Sequence, residues 1–425
     1  MWTRLSPHES AVAVAGLMTG RLEAMTRIAQ THPEGAVLRL PTRRLVVASD
    51  PVTVRHVLVD HADRYAKGMG QAESAPWLGD GLLTAEGEPW ARQRPSVAAL
   101  LRARRVQELL PAVVEAARAN VAALAQLDGG WVDPRTHLAQ YTLDTLSIVF
   151  GLAEPDARLV VDAFDTLQDR VMFDTTTLGL VPRWARPLST RRSLTARATL
   201  EREARRILVD TPGQAPWADP VRLIALLLAG YETTASTLAW AVDLLSRRPV
   251  VQAALAAEAD VVDWDGPLKL DQLELAGAVF RETVRVSPPV WLISRRALVE
   301  DVVAGNRVRP GDDVAIVTTA MRGDRSPPFD AAAPQSGRMT EFGQGPRGCP
   351  GSALAEAEAR IWLALASQAL ELDSGHGAPP RPVARMSQAP GPFRIRVRPR
   401  GARPPVEPTA SVAGGRRGTD RQDMP

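Results

Sequence analysis

One short loop holds the single cysteine of this 425-residue chain. The loop runs from Phe342 to Gly351 and reads F-G-Q-G-P-R-G-C-P-G, and the residues that follow, 352–360, are strong helix formers. The three glycines before Cys349 permit tight turns and the close approach of a flat ligand. Free N–H groups at the start of a helix favour a thiolate. The loop therefore predicts that Cys349 is a metal ligand or a nucleophile at a helix N-terminus.

A lone cysteine is more often a small buried hydrophobic residue, so the loop has to be weighed against that alternative. A structural zinc site is excluded because no cluster of cysteine or histidine stands nearby, and the six histidines are scattered without a comparable glycine loop. Haem iron needs only one protein ligand, and a cysteine thiolate is one of the known ligands. The loop resembles the haem-binding motif F-G-x-G-x-R-x-C-x-G of the cytochrome P-450 family, and the matching residues are Phe342, Gly343, Gly345, Arg347, Cys349 and Gly351.

Composition places the chain among globular proteins. Its hydrophobic fraction is 45%, which is enough for a sizeable core. A single cysteine excludes internal disulfides, so nothing indicates an oxidising compartment. The formal net charge is only +3, but arginine is abundant and the sequence pI is about 9.5, which predicts basic patches and not a nucleic-acid partner.

No segment of the sequence reads as a membrane anchor or a signal peptide. Residues 11–18 are apolar but too short, and the apolar stretch 221–245 contains Glu232 and Asp243, which favours a buried helix. Eukaryotic members of the family that the loop resembles carry an N-terminal anchor. Without one, the resemblance implies a soluble, cytoplasmic protein of the bacterial type.

Periodicity predicts a mostly helical chain. Two strands are expected in 36–48, short strands in 302–318, a helix from 50 to about 61, and a long loop over 65–89. Further helices are expected at about 90–101, 107–127, 135–151, 156–173, 189–209 and 219–287, the last with breaks near 246–250 and 263–270. Residues 401–425 have the composition of a disordered tail. The pattern, mainly α with small β-sheets, resembles the single-domain cytochrome P-450 fold over residues 1–400.

A polar patch interrupts the most apolar of these helices. Residues 229–234 read A-G-Y-E-T-T; glycine and paired threonines are poor helix formers, and a buried carboxylate seldom lacks a partner. A helix crossing at the glycine, with Glu232 at the surface, is the simpler alternative. The patch resembles the family's acid–alcohol motif, A-G-x-(D/E)-T-(T/S). That resemblance implies that Ala229 and Gly230 leave room for dioxygen, that Thr233 hydrogen-bonds the reduced dioxygen and that Glu232 supplies protons.

A glutamate and an arginine three residues apart match the family's E-x-x-R motif. Glu282 and Arg285 lie on one face of a helix at this spacing, although such pairs also occur by chance on solvated helices. The resemblance implies a buried ion pair that braces the cysteine loop. In the family a further arginine completes the network; Arg338 is the nearest candidate, and residues 331–340 depart from the family pattern.

Several residues are expected to bind the cofactor that the resemblance implies, haem b (iron protoporphyrin IX). Trp90 and Arg94 match a W-x-x-x-R motif, in which the indole N–H and the guanidinium would reach the haem propionates. A surface Trp/Arg pair is the alternative. Arg347 and either Arg295 or Arg296 are the other expected propionate partners, and the sequence does not decide between these two.

The expected function is that of a haem-thiolate monooxygenase. It would insert one oxygen atom of O2 into an apolar, mid-sized substrate, such as a terpenoid or polyketide of secondary metabolism. A peroxygenase or isomerase of the same fold is an alternative, against which Glu232 and Thr233 argue, and a non-catalytic haem protein that binds ligands is another. The pocket is expected to be mainly apolar and to be lined by 66–84, 164–173, Leu226, Ala229, Thr233, 290–293 and 388–393.

Electrons are expected to come from a separate protein that docks on the cysteine side of the haem. An arginine-rich stretch follows Trp90, and in the family this region flanks that face. A basic surface steers acidic carriers, so the resemblance implies a ferredoxin with its reductase; a solvated arginine face is the alternative. The arginines concerned are Arg92, Arg102, Arg104 and Arg105, with Arg347 and Arg360 at the edge.

Overall fold

The computed structural model describes residues 1–177, 180–211, 219–321, 340–375 and 377–401. Helices dominate these ranges. The α-helices are α1 Pro7–Thr19, α2 Arg21–Thr31, α3 Pro51–Arg55, α4 Gln71–Leu78, α5 Gly87–Leu100, α6 Ala103–Ala125, α7 Arg135–Phe150, α8 Ala157–Thr176, α9 Pro187–Asp210, α10 Pro220–Ser246, α11 Pro249–Asp260, α12 Glu274–Val286 and α13 Ser352–Ala369.

The strands are short and form small sheets at the edge of the helical body. They are β1 Thr3–Arg4, β2 Ala36–Arg39, β3 Arg44–Ala48, β4 Tyr65–Lys67, β5 Trp131–Val132, β6 Leu292–Ala297, β7 Asp301–Val303, β8 Asn306–Val308, β9 Asp313–Val317, β10 Leu370–Asp373, β11 Pro382–Ala384, β12 Gln388–Pro390 and β13 Ile395–Pro399. The largest described sheet has the order β1-β2-β3-β9-β6-β4, and a second sheet has the order β10-β13-β5. Two hairpins, β7-β8 and β11-β12, complete the strands.

Helix α10 is the central element of the core. Its start is fixed by Asp219, whose carboxylate accepts hydrogen bonds from the backbone N–H groups of Val221 at 2.8 Å and Arg222 at 3.3 Å. It packs against α7, α9 and α12. By length and hydropathy it is the one described helix able to cross a membrane, yet 72% of its most apolar window is buried inside the protein. Its burial agrees with the sequence-based expectation of a core helix.

Helix α13 carries the chain away from the cysteine loop through the centre of the core. Its apolar face is completely covered, with Ile361 and Trp362 0% exposed. The Trp362 indole N–H donates to the Asn120 side-chain oxygen at 2.9 Å, which satisfies the one polar atom of that ring. Because α13 packs on α6, α11 and α12, the loop before it is held by a rigid neighbour.

The structure corrects the expectation of a long loop over residues 65–89. This stretch contains β4 and the helix α4, in which Pro76 lies inside the helix. Proline and glycine read as loop signals, but α4 starts at Gly70 with φ of +89° and is covered by α8 and α9. The helices α1 and α2 and the strand β6 were not expected from periodicity either. Residues 402–425, most of the expected tail, lie outside the described residues.

Candidate active site

A cavity of about 620 Å³ lies in front of Cys349. Side chains from distant parts of the chain meet along it, and most of its lining is apolar. The loop 342–351 borders its cysteine end, and Val14, Leu17 and Leu180 also belong to its lining. Leu226, Ala229 and Thr233, which the sequence predicted to line a substrate pocket, line this cavity.

The cysteine loop is folded tightly by its own backbone. The N–H of Cys349 donates to the carbonyl of Phe342 at 2.7 Å. Gly343 and Gly345 have φ of +71° and +67°, and a Cβ on Gly345 would lie 1.9 Å from the carbonyl oxygen of Leu58. The glycines are therefore needed both for the turn and for the close contact with the neighbouring segment.

The Cys349 side chain lies deep among the protein atoms, and its exposed surface faces the cavity that it lines. The backbone N–H groups of Gly351 and Ser352 donate to the sulfur and favour the thiolate, as does the nearby Arg94. Burial has the larger effect, and it raises the pKa of the Cys349 thiol above its usual value. The start of a helix is thus not enough to ionise this thiol. A metal cation bound at the sulfur is the kind of partner that does so.

A cluster of buried cations borders the cysteine end of the cavity. Arg94, Arg295, Arg347 and Lys67 all line it, and Glu86 is the carboxylate that faces them, in a bidentate pair with Arg347 at 2.7 and 2.9 Å. Burial lowers the pKa of Lys67 to about 8 and that of Arg295 to about 10, which shows that each charge lacks full compensation. A ligand that brings two carboxylates would balance this cluster.

Strand alternation separates the two arginines that the sequence left undecided. Arg295 is 6% exposed and lines the cavity, whereas Arg296 points to the other face of β6. There Arg296 holds Asp313 by two hydrogen bonds of 3.1 Å. Of the two, Arg295 is therefore the one that can reach a ligand in the cavity.

Trp90 and Arg94 both border the cavity one helical turn apart. The guanidinium of Arg347 stacks over the Trp90 ring at 5.4 Å, and Arg94 donates to the carbonyl of Gly348 in the cysteine loop.

The site as a whole fits a flat, dianionic ligand held by sulfur. It has a thiol facing the cavity, a glycine-rich loop without side-chain bulk and an excess of buried cations. Haem has these properties.

The Glu232 carboxyl group is held inside the protein next to the cavity. The hydroxyl of Ser387 donates to Glu232 Oε1 at 2.7 Å, and the Gln168 side chain also hydrogen-bonds the carboxyl group. Burial outweighs these two bonds and raises the pKa of Glu232 to about 7. Glu232 is thus not at the molecular surface, which removes the simpler explanation of the polar patch for this residue.

Some neighbours of Glu232 on α10 face the cavity, and one contacts the adjacent helix α7. Ala229 and Thr233 lie one turn apart on the cavity side, and the Thr233 hydroxyl donates to the Ala229 carbonyl at 3.2 Å. Gly230 also borders the cavity, but a Cβ on it would come within 2.6 Å of Leu146 on α7. The geometry therefore gives Gly230 a packing role at the α7–α10 crossing.

Glu282 and Arg285 form the ion pair that their spacing suggested. Arg285 donates to both carboxylate oxygens of Glu282, at 2.7 and 2.5 Å, and Glu282 is 0% exposed. This pairing raises the pKa of Arg285 above its usual value. Glu341, buried just before the cysteine loop, acts on Arg285 through its charge. Arg338, the candidate third member, lies outside the described residues.

The cytochrome P450 family model matches residues 13–204 and 221–327 of the chain. The chain belongs to the cytochrome P450 family. CYP175A1 from Thermus thermophilus has a similar structure, with a TM-score of 0.78 and 26% identity over 93% of this chain and 100% of that one. Membership confirms the mainly helical fold, the monooxygenase class of oxidoreductase, and haem iron as the cofactor.

Two curated bacterial relatives match part of this cytochrome P450. Cyclooctatin synthase of Streptomyces melanosporofaciens is 35% identical over 195 residues, which are 42% of this chain and 42% of that protein. Pentalenene oxygenase of Streptomyces avermitilis is 30% identical over 196 residues, 42% of this chain and 43% of that protein. The chain therefore aligns with less than half the length of each.

Sequence reasoning missed three functional candidates in this cytochrome P450. Lys67 lies in the short strand β4 and Ser387 in the β11–β12 turn, and neither segment carries a motif. Only the folded chain brings Lys67 to Glu86 and Ser387 to Glu232. Glu358 could have been found, because it is a carboxylate inside the apolar helix that follows the cysteine loop. It is 2% exposed, it is held by the Thr145 and Thr234 hydroxyls, and burial raises its pKa to about 8.

Proposed function

We propose that this cytochrome P450 hydroxylates or epoxidises an apolar terpenoid-like substrate of secondary metabolism, with haem b as its cofactor. The observation that carries the proposal is that the Cys349 thiol and the Glu232–Thr233 pair face the same largely apolar cavity. Relatives named for cyclooctatin and pentalenene support the substrate class. Hydroxylation of a C–H bond consumes one O2, two electrons and two protons, and releases one water.

The residues that would hold the cofactor are those of the cysteine end. Cys349 supplies the sulfur ligand, and Arg94, Arg295 and Arg347 supply charge-assisted hydrogen bonds to two propionates. Lys67 would add a fourth cation, and Trp90 an indole N–H. When bound, haem supplies the activation of dioxygen, and a thiolate ligand favours cleavage of the O–O bond.

The protons would come through Glu232. A carboxyl group with a pKa of about 7 exchanges protons readily at neutral pH, which suits general acid–base catalysis. Ser387 and Gln168 hold this carboxyl group beside the cavity. The Thr233 hydroxyl, one residue further along the helix, would position the proton acceptor. The apolar lining around both residues keeps bulk water from the reacting atoms.

Electrons would come from an acidic ferredoxin and its reductase in the cytoplasm. Cytochromes P450 receive electrons from redox partners, and exposed arginines stand near the cysteine loop: Leu101 lies 3.9 Å from an ideal Cβ on Gly351, and the next residue is Arg102. Arg104 is 94% exposed in its side chain. Arg347 and Arg360, expected at the edge of this surface, are instead mostly buried in pairs with Glu86 and Glu356.

The test is the spectrum and activity of the holoenzyme. The wild type should show the red-shifted ferrous–carbon monoxide Soret band of a thiolate-ligated haem, and Cys349→Ser should lose it. Terpenoid hydrocarbons should perturb the wild-type haem spectrum and be oxidised with NADPH, a surrogate ferredoxin and a reductase. Persistence of the band in Cys349→Ser overturns the ligand assignment. Turnover with hydrogen peroxide alone, and none with NADPH, would favour the peroxygenase.

A further inference from the structure

Helix α2 begins with an arginine whose side chain lines the cavity. Arg21 is partly buried, and its guanidinium donates a hydrogen bond of 3.0 Å to the carbonyl of Ala384 in β11. A guanidinium carries several N–H donors in a fixed fork, and the described residues offer Arg21 no other hydrogen bond and no ion pair. The bond to Ala384 therefore orients the guanidinium and leaves most of its donors free for a ligand or for water.

Arg385 lines the same cavity but is fully paired. Its guanidinium contacts Asp165 at 2.7 Å and Asp169 at 2.9 Å. Although burial acts against them, these two carboxylates raise the pKa of Arg385 above its usual value. Burial has the largest effect on Arg21 and lowers its pKa, and Asp169 only partly opposes this effect. Of these two cations in the cavity lining, Arg21 is thus the one without a carboxylate of its own.

Arg21 is also separate from the cations at the cysteine end of the cavity. The charges that shift the pKa of Arg295 belong to that end. Those that shift the pKa of Arg21 are Asp169 on α8 and Arg385 in the β11–β12 turn. Arg21 is therefore available to a substrate and not to the propionates of the cofactor.

The surroundings of Arg21 are apolar. Leu17, Met25, Met172 and Trp291 line the cavity with it and belong to one hydrophobic cluster. A hydrogen bond to a charged group is stronger in such surroundings than in water, because the local dielectric constant is lower. An anionic group that enters the cavity at Arg21 would therefore be bound firmly.

The β11–β12 hairpin connects Arg21 to the proposed proton source. Ala384 accepts the hydrogen bond of Arg21, and Ser387 donates to Glu232 in the same turn. The Cα atoms of Ala384 and Ser387 lie within about 11 Å of each other, the length of the extended chain between them. A mid-sized molecule can thus contact Arg21 at one end and lie beside Glu232 further along.

We propose that the substrate is an apolar carboxylic acid whose carboxylate binds Arg21. This inference rests on the proposed function and deepens it, because it concerns the substrate of the same cavity. A carboxylate accepts bidentate hydrogen bonds from a guanidinium, which a neutral hydroxyl group cannot do. A hydrocarbon bound at this position would instead strip water from the Arg21 guanidinium without replacing its hydrogen bonds. If Arg21 is only solvated by water, the cavity should show no preference for acids.

The experiment is equilibrium binding to the holoenzyme, measured by calorimetry and by the change in the haem spectrum. The probes are farnesoic acid, a terpenoid carboxylic acid, and its primary amide, which has nearly the same shape and no charge. The wild type should bind the acid about 10- to 100-fold more tightly at neutral pH, as expected for a charge-assisted hydrogen bond. Dodecanoic acid and its amide form a second pair. Tighter binding of dodecanoic acid than of farnesoic acid would support the anchor and assign a straight-chain skeleton.

Variants of α2 test whether Arg21 causes the preference. Arg21→Met should abolish it and leave the affinity for the amide nearly unchanged, because the variant loses the cation and keeps an apolar stem. Arg21→Lys should retain part of the preference. Arg27→Met removes an exposed arginine of the same helix and should bind both probes like the wild type. Equal affinity of the wild type for acid and amide, or equal weakening of both in Arg21→Met, overturns the proposal.

The two measurements distinguish a failure of this inference from a failure of the proposed function. Acid binding that depends on Arg21 in calorimetry, without a change in the haem spectrum and without product, would support the anchor and contradict the proposed oxidation. Oxidation of terpenoid hydrocarbons as efficiently as the acid, unchanged in Arg21→Met, would support the proposed function and overturn the anchor.

Discussion

The hydroxyl of Ser387 donates a hydrogen bond of 2.7 Å to Glu232 Oε1, which joins the β11–β12 turn to the middle of α10. This bond lowers the pKa of Glu232, but burial raises it more, so the resulting pKa is about 7. The turn thereby sets the acidity of the group that we propose as the proton source. Ser387 is a positioning residue in this arrangement, because it acts through Glu232.

Ser387→Ala should raise the pKa of Glu232 above about 7, because it removes a donor that stabilises the carboxylate. If protonated Glu232 is the donor, turnover declines as pH rises through this pKa, and the alkaline limb of the kcat profile should move to higher pH. The measurement is kcat against pH for coupled product formation. Ser147→Ala, which removes a buried hydroxyl bonded within α7, should leave the profile in place.

Thr233→Ala should separate electron consumption from product formation. Haem and substrate binding should stay nearly unchanged, because Thr233 bonds only the Ala229 carbonyl of its own helix among the contacts described. Hydrogen peroxide released per NADPH should rise, and product should fall by roughly 100-fold, the lower range for acid–base catalysis. Thr237→Ala removes a similar bond one turn later and should remain coupled. If both variants form as much product per NADPH as each other, the polar patch at 229–234 is only a feature of helix packing.

Arg295→Met and Arg296→Met should have different consequences, although the two residues are adjacent. Arg295→Met removes a cation from the propionate end of the cavity, so haem should dissociate about 10- to 100-fold faster, as expected for a lost charge-assisted hydrogen bond. Arg296→Met breaks the pair with Asp313 and should lower thermal stability instead. Transfer of haem to an apoglobin measures the first effect. The reverse pattern would place a propionate at Arg296.

The adjacent arginines also show what sequence can and cannot predict here. The motifs around Cys349, Glu232 and Glu282 were readable because each is local in the chain and has a fixed spacing. The choice between Arg295 and Arg296 depends on which face of β6 borders the cavity, and a one-residue shift in register reverses it. Periodicity gives no such register for a short strand in a mixed sheet.

Long-range contacts set a second limit on sequence-based prediction. Ser387 and Glu232 are 155 positions apart, and neither residue type nor spacing indicates that they meet. The helix α4 was missed for a local reason, since Gly70 and Pro76 read as loop residues while the packing of α4 on α8 and α9 decides its conformation. The core helices α10 and α13 were predictable because their apolar character does not depend on register.

Glu358 should make stability depend on pH. Burial raises its pKa to about 8 from an ordinary value near 4.5, so between these pH values the folded protein binds a proton that the unfolded chain has released. Stability contributed by this proton is present at low pH and is lost as pH rises toward 8. The wild type should therefore lose on the order of a few kcal/mol of unfolding free energy as pH rises toward 8, and Glu358→Gln should not show this loss. The measurement is the melting temperature of the wild-type holoenzyme and of the variant at pH 5.5 and 8. An equal change in melting temperature between these pH values in both proteins would contradict the prediction.

Arg102 and Arg105 should steer the electron donor. Arg102 is exposed beside the cysteine loop, and Arg105, which also pairs with Glu108 at 3.1 Å, is about half exposed. An exposed pair of this kind contributes little to folding, so Arg102→Glu/Arg105→Glu should fold normally. Its reduction by an acidic ferredoxin should be slower, chiefly through the association rate, because surface charge accelerates encounter.

Salt provides the internal control for this last prediction. The difference between wild type and variant should shrink as ionic strength rises, since screening acts over about 10 Å at 0.1 M salt. Reduction by dithionite and substrate binding should be equal in both proteins. Arg191→Glu/Arg192→Glu, which reverses the charge of two exposed arginines on α9, should leave reduction by ferredoxin unchanged. If that variant slows reduction and Arg102→Glu/Arg105→Glu does not, the ferredoxin docks on α9, and the arginines beside Cys349 are only a solvated surface.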